Sequence, residues 1–493
     1  MAMIQVNDLT FGYDGSPDNV FEHVTFQMDT DWKLGFIGRN GRGKTTFLKL
    51  LLGEYSYGGT ISRPVPAAYF PFSVPDPEQE TLSVVESLLP DLELWRLQRE
   101  LSLLRVASGD VLYRPLCTLS SGEQTKVLLA ALFLRGDRFL LIDEPTNHLD
   151  EEARDAVCRY LNGKKGFILV SHDRTLLDGC VDHILSLNRA DIEVQAGNFS
   201  SWQENRSRQD RFELAEQEKL QKEVGRLAQA ARRASGWSDR TEKDKFHARN
   251  SGLRPDRGFV GHKAAKMMKR AKNIEDRRET ALEEKAKLLK NLETAEALCL
   301  HPLAYRKRVL IEAEGLSASY GDRAVFSDVR FSICQGDRVA VCGKNGCGKS
   351  TLLKLILGEG IAHAGTLRTG GNLVCSRVPQ ETANLRGSLR ELAEREKLDE
   401  SLFKAILRKL DFSREQFEKD MASYSEGQKK KVLLAKSLCQ PAHLYVWDEP
   451  LNFIDVLSRV QIEDLILRSR PTLLFVEHDR AFRERIATKT IAL

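Results

Sequence analysis

Gly38-Arg39-Asn40-Gly41-Arg42-Gly43-Lys44-Thr45-Thr46 is the stretch on which the reading of this chain turns, and Gly343-Lys344-Asn345-Gly346-Cys347-Gly348-Lys349-Ser350-Thr351 repeats it. The first copy follows an apolar run, Trp32 to Ile37, and leads into another, Phe47 to Leu52. Strand, glycine-rich loop and helix in that order make a phosphate-binding loop. The glycines let backbone N–H groups turn inward around phosphate oxygens, at a helix N-terminus whose dipole favours anions. Lys44 and Lys349 would pair with the β and γ phosphates of a nucleoside triphosphate, and the Thr45 and Ser350 hydroxyls would hold Mg²⁺.

The rest of each half is spaced alike. Lys44 to Glu144 spans 100 positions, as does Lys349 to Glu449, and Lys44 to Ser120 spans 76, as does Lys349 to Ser425. The apolar run Phe139 to Ile142 ends in Asp143-Glu144-Pro145, which Asp448-Glu449-Pro450 repeats. An aspartate ending a buried strand beside a phosphate loop is placed for the Mg²⁺ shell, and the adjacent glutamate is the candidate general base for an attacking water. Phe167 to Val170 is a further strand that delivers His172 toward the γ-phosphate, and His478 repeats it, as Tyr320 repeats Tyr13. Two phosphate loops with partners at matching distances mean a duplicated α/β nucleotide-binding domain.

Between the copies the composition changes. Leu220, Val224, Leu227 and Ala231, then Met267, Ala271 and Ile274, recur at helical spacing amid charges. That pattern predicts the seam of a coiled coil. Gly236, Gly252, Pro255, Gly258 and Gly261 interrupt it, so the spacing predicts a hairpin of two antiparallel helices, each about 45 Å long, with a tip loop. Arg232 to Lys272 carries a net +9 in a chain whose total is +4. Such local positive charge points to a polyanionic partner, and interleaved rings can stack on bases. The candidate RNA-contacting residues are Trp237, Arg240, Lys243, Lys245, Phe246, His247, Arg249, Arg254, Arg257 and Phe259. The competing reading is a solvated spacer. The expected domains are 1–202, a helical linker 203–300, and 301–493.

The remaining composition excludes several classes. The start reads directly into a strand, with no secretory signal, and no apolar run reaches the ~18 residues that span a bilayer. Nine scattered cysteines without a Cys-x-x-Cys pair argue against zinc and disulfide frameworks and place the chain in a reducing cytoplasm.

Leu119-Ser120-Ser121-Gly122-Glu123-Gln124 and Tyr424-Ser425-Glu426-Gly427-Gln428 resemble the LSGGQ signature of ATP-binding cassette (ABC) ATPases. Asp143 to Asp150 is similar to the Walker B and D-loop string of the ABC-F class, and Tyr424 to Lys431 resembles its Lsa/Vga-type antibiotic-resistance members. The resemblance implies two cassettes without a membrane domain, paired intramolecularly in a monomer, binding two ATP and Mg²⁺ at composite sites. Tyr13 and Tyr320 would stack on adenine, Ser120 and Gly122 would close over the second phosphate loop, and Ser425 and Gly427 over the first. It further implies a partner, the 70S ribosome: the protein would enter the E site, and its linker tip would meet 23S rRNA and P-site tRNA to counter lincosamides, streptogramin A and pleuromutilins.

Three departures from the pattern stand out. Gln380 is a plausible Q-loop glutamine in the second half, whereas the first reads Tyr69-Phe70-Pro71-Phe72, leaving Gln79 as the only nearby candidate. Leu451-Asn452-Phe453-Ile454-Asp455 replaces Thr-Asn-His-Leu-Asp, which suggests unequal sites. The equal loop-to-signature distances leave no room for the arm insertion of housekeeping ABC-F factors, and the chain ends near the last expected strand. Alternatives are a housekeeping factor that rescues stalled ribosomes, an exporter's ATPase subunit, and a DNA-maintenance ATPase; in the last a coiled coil would split one cassette rather than join two, so no DNA partner is expected.

Overall fold

The computed structural model describes residues 2–212 and 300–493, apart from 15–18, 73, 75, 137, 147–148, 189–190, 301, 321–322, 345 and 384, with scattered positions between 215 and 272. Met1–Ser200 and Ala295–Leu493 together form one compact unit, and Ser201–Thr294 forms another. In the second unit residues 201–212 are helical, as are the described positions up to 229 and Lys266, Lys269 and Lys272. The hairpin tip, all ten of its candidate RNA-contacting residues, and Asn345 lie outside the described residues.

In the first unit each repeat builds a largely parallel sheet with an antiparallel three-stranded sheet beside it. The first parallel sheet runs Ala67–Phe70, Phe139–Asp143, Phe167–Val170, Lys33–Gly38, His183–Leu187, Ile192–Ala196, with only the last strand antiparallel. The second runs Cys375–Val378, Leu444–Asp448, Leu473–Val476, Arg338–Cys342, Lys489–Ala492. A strand buried on both faces reads as a continuous apolar run. That is why Phe139 to Ile142, Phe167 to Val170 and Leu473 to Val476 are buried along their whole length.

The register of these strands places the chemistry. Phe36 lies opposite Val170, which lies opposite Asp143. In the second sheet Val341 lies opposite Val476, which lies opposite Asp448. The phosphate loop, the Asp-Glu pair and the histidine therefore leave the same, C-terminal edge of three adjacent strands, where ligands of open parallel sheets bind. The helices Lys44–Leu52 and Lys349–Ile356 begin at the loop lysines.

Candidate functional site

A cavity of about 580 Å³ opens on the first phosphate loop, and both repeats line it. The first contributes Tyr13, Asn40, Gly41, Gly43, Lys44, Thr45, Thr46, Asp143, Glu144 and His172; the second contributes Ser425, Gly427, Lys431 and Phe453. The two repeats touch there directly: Asn40 Nδ2 donates to the Phe453 carbonyl at 2.7 Å. The signature serine is also a helix N-cap. Ser425 Oγ accepts from the Gln428 N–H at 3.3 Å, while Gln428 Oε1 accepts from the Ser425 N–H at 2.9 Å. This reciprocal capping box starts the helix Glu426–Cys439, whose N-terminus borders the cavity with its backbone donors, a ready site for anions. Ser120 and Glu123 make the same box at the helix Ser121–Phe133.

A second cavity, about 640 Å³, is lined by Tyr320, Gly346, Gly348, Lys349, Ser350, Thr351, Gln380, Glu449, Asn452 and His478, with Leu149 and Arg154 from the first repeat. Ser120 and Gly122 are not among the described residues lining it. The structure thus brings the second signature onto the first phosphate loop.

Gly43 and Gly348 hold φ of 100° and 99°. A Cβ on Gly43 would lie 2.5 Å from Val20 Cγ1, so neither the conformation nor the space admits a side chain. Gly43→Ala is expected to impose about 1–3 kcal/mol of strain on the loop and to weaken ATP binding at the first site selectively. Nucleotide titration of that variant in a Lys349→Ala background checks this, and unchanged affinity would refute it.

The two candidate bases differ in their surroundings. Both stand at positive φ, 50° for Glu144 and 47° for Glu449, a strained conformation that functional sites retain. Glu449 Oε2 accepts from Gln380 Nε2 at 3.0 Å and from Asn452 Nδ2 at 2.6 Å, and its Oε1 meets His478 Nε2 at 3.3 Å. Burial alone would raise its pKa, but His478, Gln380 and Lys430 bring it below the usual glutamate value. Glu144 has fewer partners. Its Oε1 is buried, 3.2 Å from His172 Nε2, and has no hydrogen-bond partner among the described residues. Burial, then the Asp143 charge, push the Glu144 carboxyl up to about 8. Burial, with Lys44 and Arg459, holds His172 well below the ordinary imidazole value.

The residues fit a magnesium–triphosphate pair. Thr45 Oγ1 donates to Asp143 Oδ2 at 2.9 Å, and Asp448 Oδ1 is buried with no partner among the described residues. Buried acceptors left unmatched beside a hydroxyl and a glycine cradle suit a hydrated cation. Lys44 Nζ is turned onto its own loop, on the Gly38 carbonyl at 2.7 Å and Asn40 Oδ1 at 3.2 Å, and Lys349 does likewise on Gly343 at 2.9 Å. Tyr13, largely exposed, bonds Thr46 Oγ1 at 2.6 Å, and Tyr320 is exposed beside the second cavity.

Residues 21–147 and 326–452 match the ABC transporter family, one match per repeat. The chain belongs to the ABC transporter family. Within it the protein is an F-class ATPase, similar to the ABC transporter F family member 2 of Arabidopsis thaliana, with 25% identity over 99% of this chain and 76% of the relative. It is also similar to the ribosome protection protein VmlR of Bacillus subtilis, 28% identical over 98% of this chain and 85% of the relative. The energy-dependent translational throttle protein EttA of Haemophilus influenzae is 26% identical over 95% of this chain and 88% of that relative. Among solved structures, the RNase-L inhibitor aligns with a TM-score of 0.62 at 18% identity, over 99% of this chain and 87% of its own. That likeness concerns the two-cassette fold. No helix among the described residues of this ABC-F ATPase is long and apolar enough to cross a membrane.

Sequence reasoning missed several residues of the first site. Lys431 lines the cavity and pairs with the buried Asp455 at 3.3 Å, while the Asn40 N–H points to Asp455 Oδ2 at 3.5 Å. Their signal was present in the repeat: Lys126 and Lys431 each stand 82 positions after a loop lysine, and Asp150 and Asp455 each stand 106 after. Cross-cassette ion pairs carried no such signal. Arg174 Nη1 donates to Glu463 Oε2 at 3.1 Å, and Arg483 meets Glu151 at 2.8 Å.

Proposed function

We propose that this protein is a ribosome-binding ATPase that closes its two cassettes around ATP, enters the E site, and protects the peptidyl-transferase centre from antibiotics. The observation that carries the ATP-driven part is the first cavity, whose walls come from both repeats. The phosphate-loop N–H groups with Lys44 and Lys349 bind the triphosphate, and Ser425 and Gly427 present their donors to the γ-phosphate held by the opposite loop. Tyr13 and Tyr320 stack on adenine. Thr45, Asp143, Ser350 and Asp448, with Gln380 at the second site, would hold Mg²⁺, which supplies charge neutralisation on the phosphates. Glu144 and Glu449 accept the proton of the attacking water, and His172 and His478 orient it. ATP then acts as the glue between cassettes, and its hydrolysis releases them.

The ribosomal part is supported by the relatives, whose names speak of ribosome protection and of a translational throttle. The basic stretch 232–272 is suited to rRNA and tRNA by charge and by its rings. Lincosamides, streptogramin A and pleuromutilins are the drugs proposed. Replacing residues 240–260 with a short Gly/Ser turn is expected to abolish drug tolerance in cells while leaving ATP turnover near the parent value; retained tolerance would make the loop a spacer.

The similarity to the throttle protein favours a second reading, a housekeeping factor for stalled ribosomes. Growth inhibition by each drug, with and without expression, separates the two. Tolerance unchanged for every ribosomal antibiotic, with ribosome binding intact, would select the factor.

A further inference from the structure

We propose that Tyr69 is the positioning residue for the first site's Mg²⁺-shell carboxylate, a task that the glutamine position does not serve in this half. The inference rests on the reading of Asp143 as part of that shell.

Strand register identifies what stands where the glutamine would. Phe70 lies opposite Ile142 and Val378 opposite Trp447, each the residue just before the aspartate. Pro71 therefore matches Pro379, and Phe72 matches Gln380. Phe72 has no hydrogen-bonding group, and its ring lies 4.6 Å from the Arg135 guanidinium. Gln79, the other candidate, donates to Asp76 Oδ2 at 3.0 Å on the exposed surface and is not among the described residues lining the cavity.

Tyr69 precedes Phe70 in the strand, so its side chain leaves by the opposite face. Its hydroxyl donates to Asp143 Oδ2 at 3.0 Å, the same oxygen that accepts from Thr45. Two donors on one oxygen fix the carboxylate's rotation and leave Oδ1 free of both. The second site keeps the loop hydroxyl, Ser350 on Asp448, but has no counterpart of the tyrosine. Tyr69 matches Arg377, which is paired instead with Glu359 at 2.7 Å. There the glutamine grips the base, Glu449, at 3.0 Å.

The sites are therefore ordered through different carboxylates. The first is braced at the metal shell; the second is braced at the base.

The test uses the full chain, Mn²⁺ as the metal probe and a non-hydrolysable ATP analogue, with bound Mn²⁺ read by electron paramagnetic resonance. Tyr69→Phe removes one oxygen and no packing. It should weaken one of two Mn²⁺ sites about 10-fold, the usual effect of losing an outer partner of a metal ligand. The other site, and analogue binding in chelator, should not move. The weakened site should persist in a Lys349→Ala background, which disables the second loop. Equal Mn²⁺ affinity in Tyr69→Phe and the parent would overturn the assignment, as would a loss at both sites that tracks a fall in melting temperature. A parent chain that binds analogue but no Mn²⁺ would instead overturn the reading of the site on which the assignment stands.

Discussion

Replacing Glu144 and Glu449 together with glutamine is expected to lower ATP turnover by about 10²–10⁴-fold, the range associated with a general base, while ATP still binds. Glutamine keeps the size and hydrogen-bonding reach of the side chain but cannot take a proton. The single variants should be unequal. Glu449 is held by Gln380, Asn452 and His478, and its pKa lies below the ordinary value, so it is an ionised, oriented base. Glu144 is pushed up to about 8 and its Oε1 has no hydrogen bond. Glu449→Gln should therefore remove most of the turnover and Glu144→Gln a smaller part. Steady-state hydrolysis by the three variants checks this, and equal losses in the two single variants would contradict it. The double variant, held closed by unhydrolysed ATP, should co-purify with 70S ribosomes; recovery with membrane proteins would count against the proposed function.

Glu463→Ala is expected to destabilise the paired cassettes by about 3–5 kcal/mol, the cost of removing one partner from a buried ion pair. Glu463 is fully buried and receives Arg174 from the other cassette and Arg485 from its own, the latter at 2.9 Å. Its loss leaves Arg174 with Asp479 at 3.7 Å. The contact is one-sided. In the repeat, Arg174 matches Arg480 and Glu463 matches Cys158, and Arg480 pairs with exposed Glu484 at 2.8 Å. Arg480→Ala should consequently leave the unfolding midpoint unchanged. Urea unfolding compares the two, and similar midpoints would show that the buried pair is no clasp. Exchanging the charges, Arg174→Glu with Glu463→Arg, should recover part of the loss, because the pair and not either residue supplies the stability.

The clasp also bears on how the sites differ. Arg174 lies two residues after His172, and Asp479 one after His478, so the Arg174–Asp479 contact joins the histidine loops of the two sites. With Asn40 on the Phe453 carbonyl and Arg42 near Asp411 at 3.6 Å, polar contacts between cassettes gather around the first site. At the second, Arg483 on Glu151 is an ion pair of the same kind but half exposed on its acidic side. This distribution agrees with a first site whose walls come from both repeats.

What the sequence determined by itself was whatever short-range chemistry dictates. Glycines at fixed offsets demand left-handed backbone at Gly43 and Gly348, continuous apolar runs demand strands buried on both faces, and equal spacing demands that both halves fold alike. Those constraints were enough for the α/β fold, the duplicated cassettes and the ATPase chemistry. Only the tertiary structure decided how similar residues came to differ. Strand register turned Tyr69 onto Asp143 and put Phe72 where Gln380 stands in the other half; cassette pairing buried Arg174 against Glu463 while its repeat partner stayed in solvent. The physical reason is that hydrogen-bond partners and desolvation are set by neighbours far apart along the chain. Arg174 and Glu463 are separated by 289 positions, and no local pattern records such a meeting.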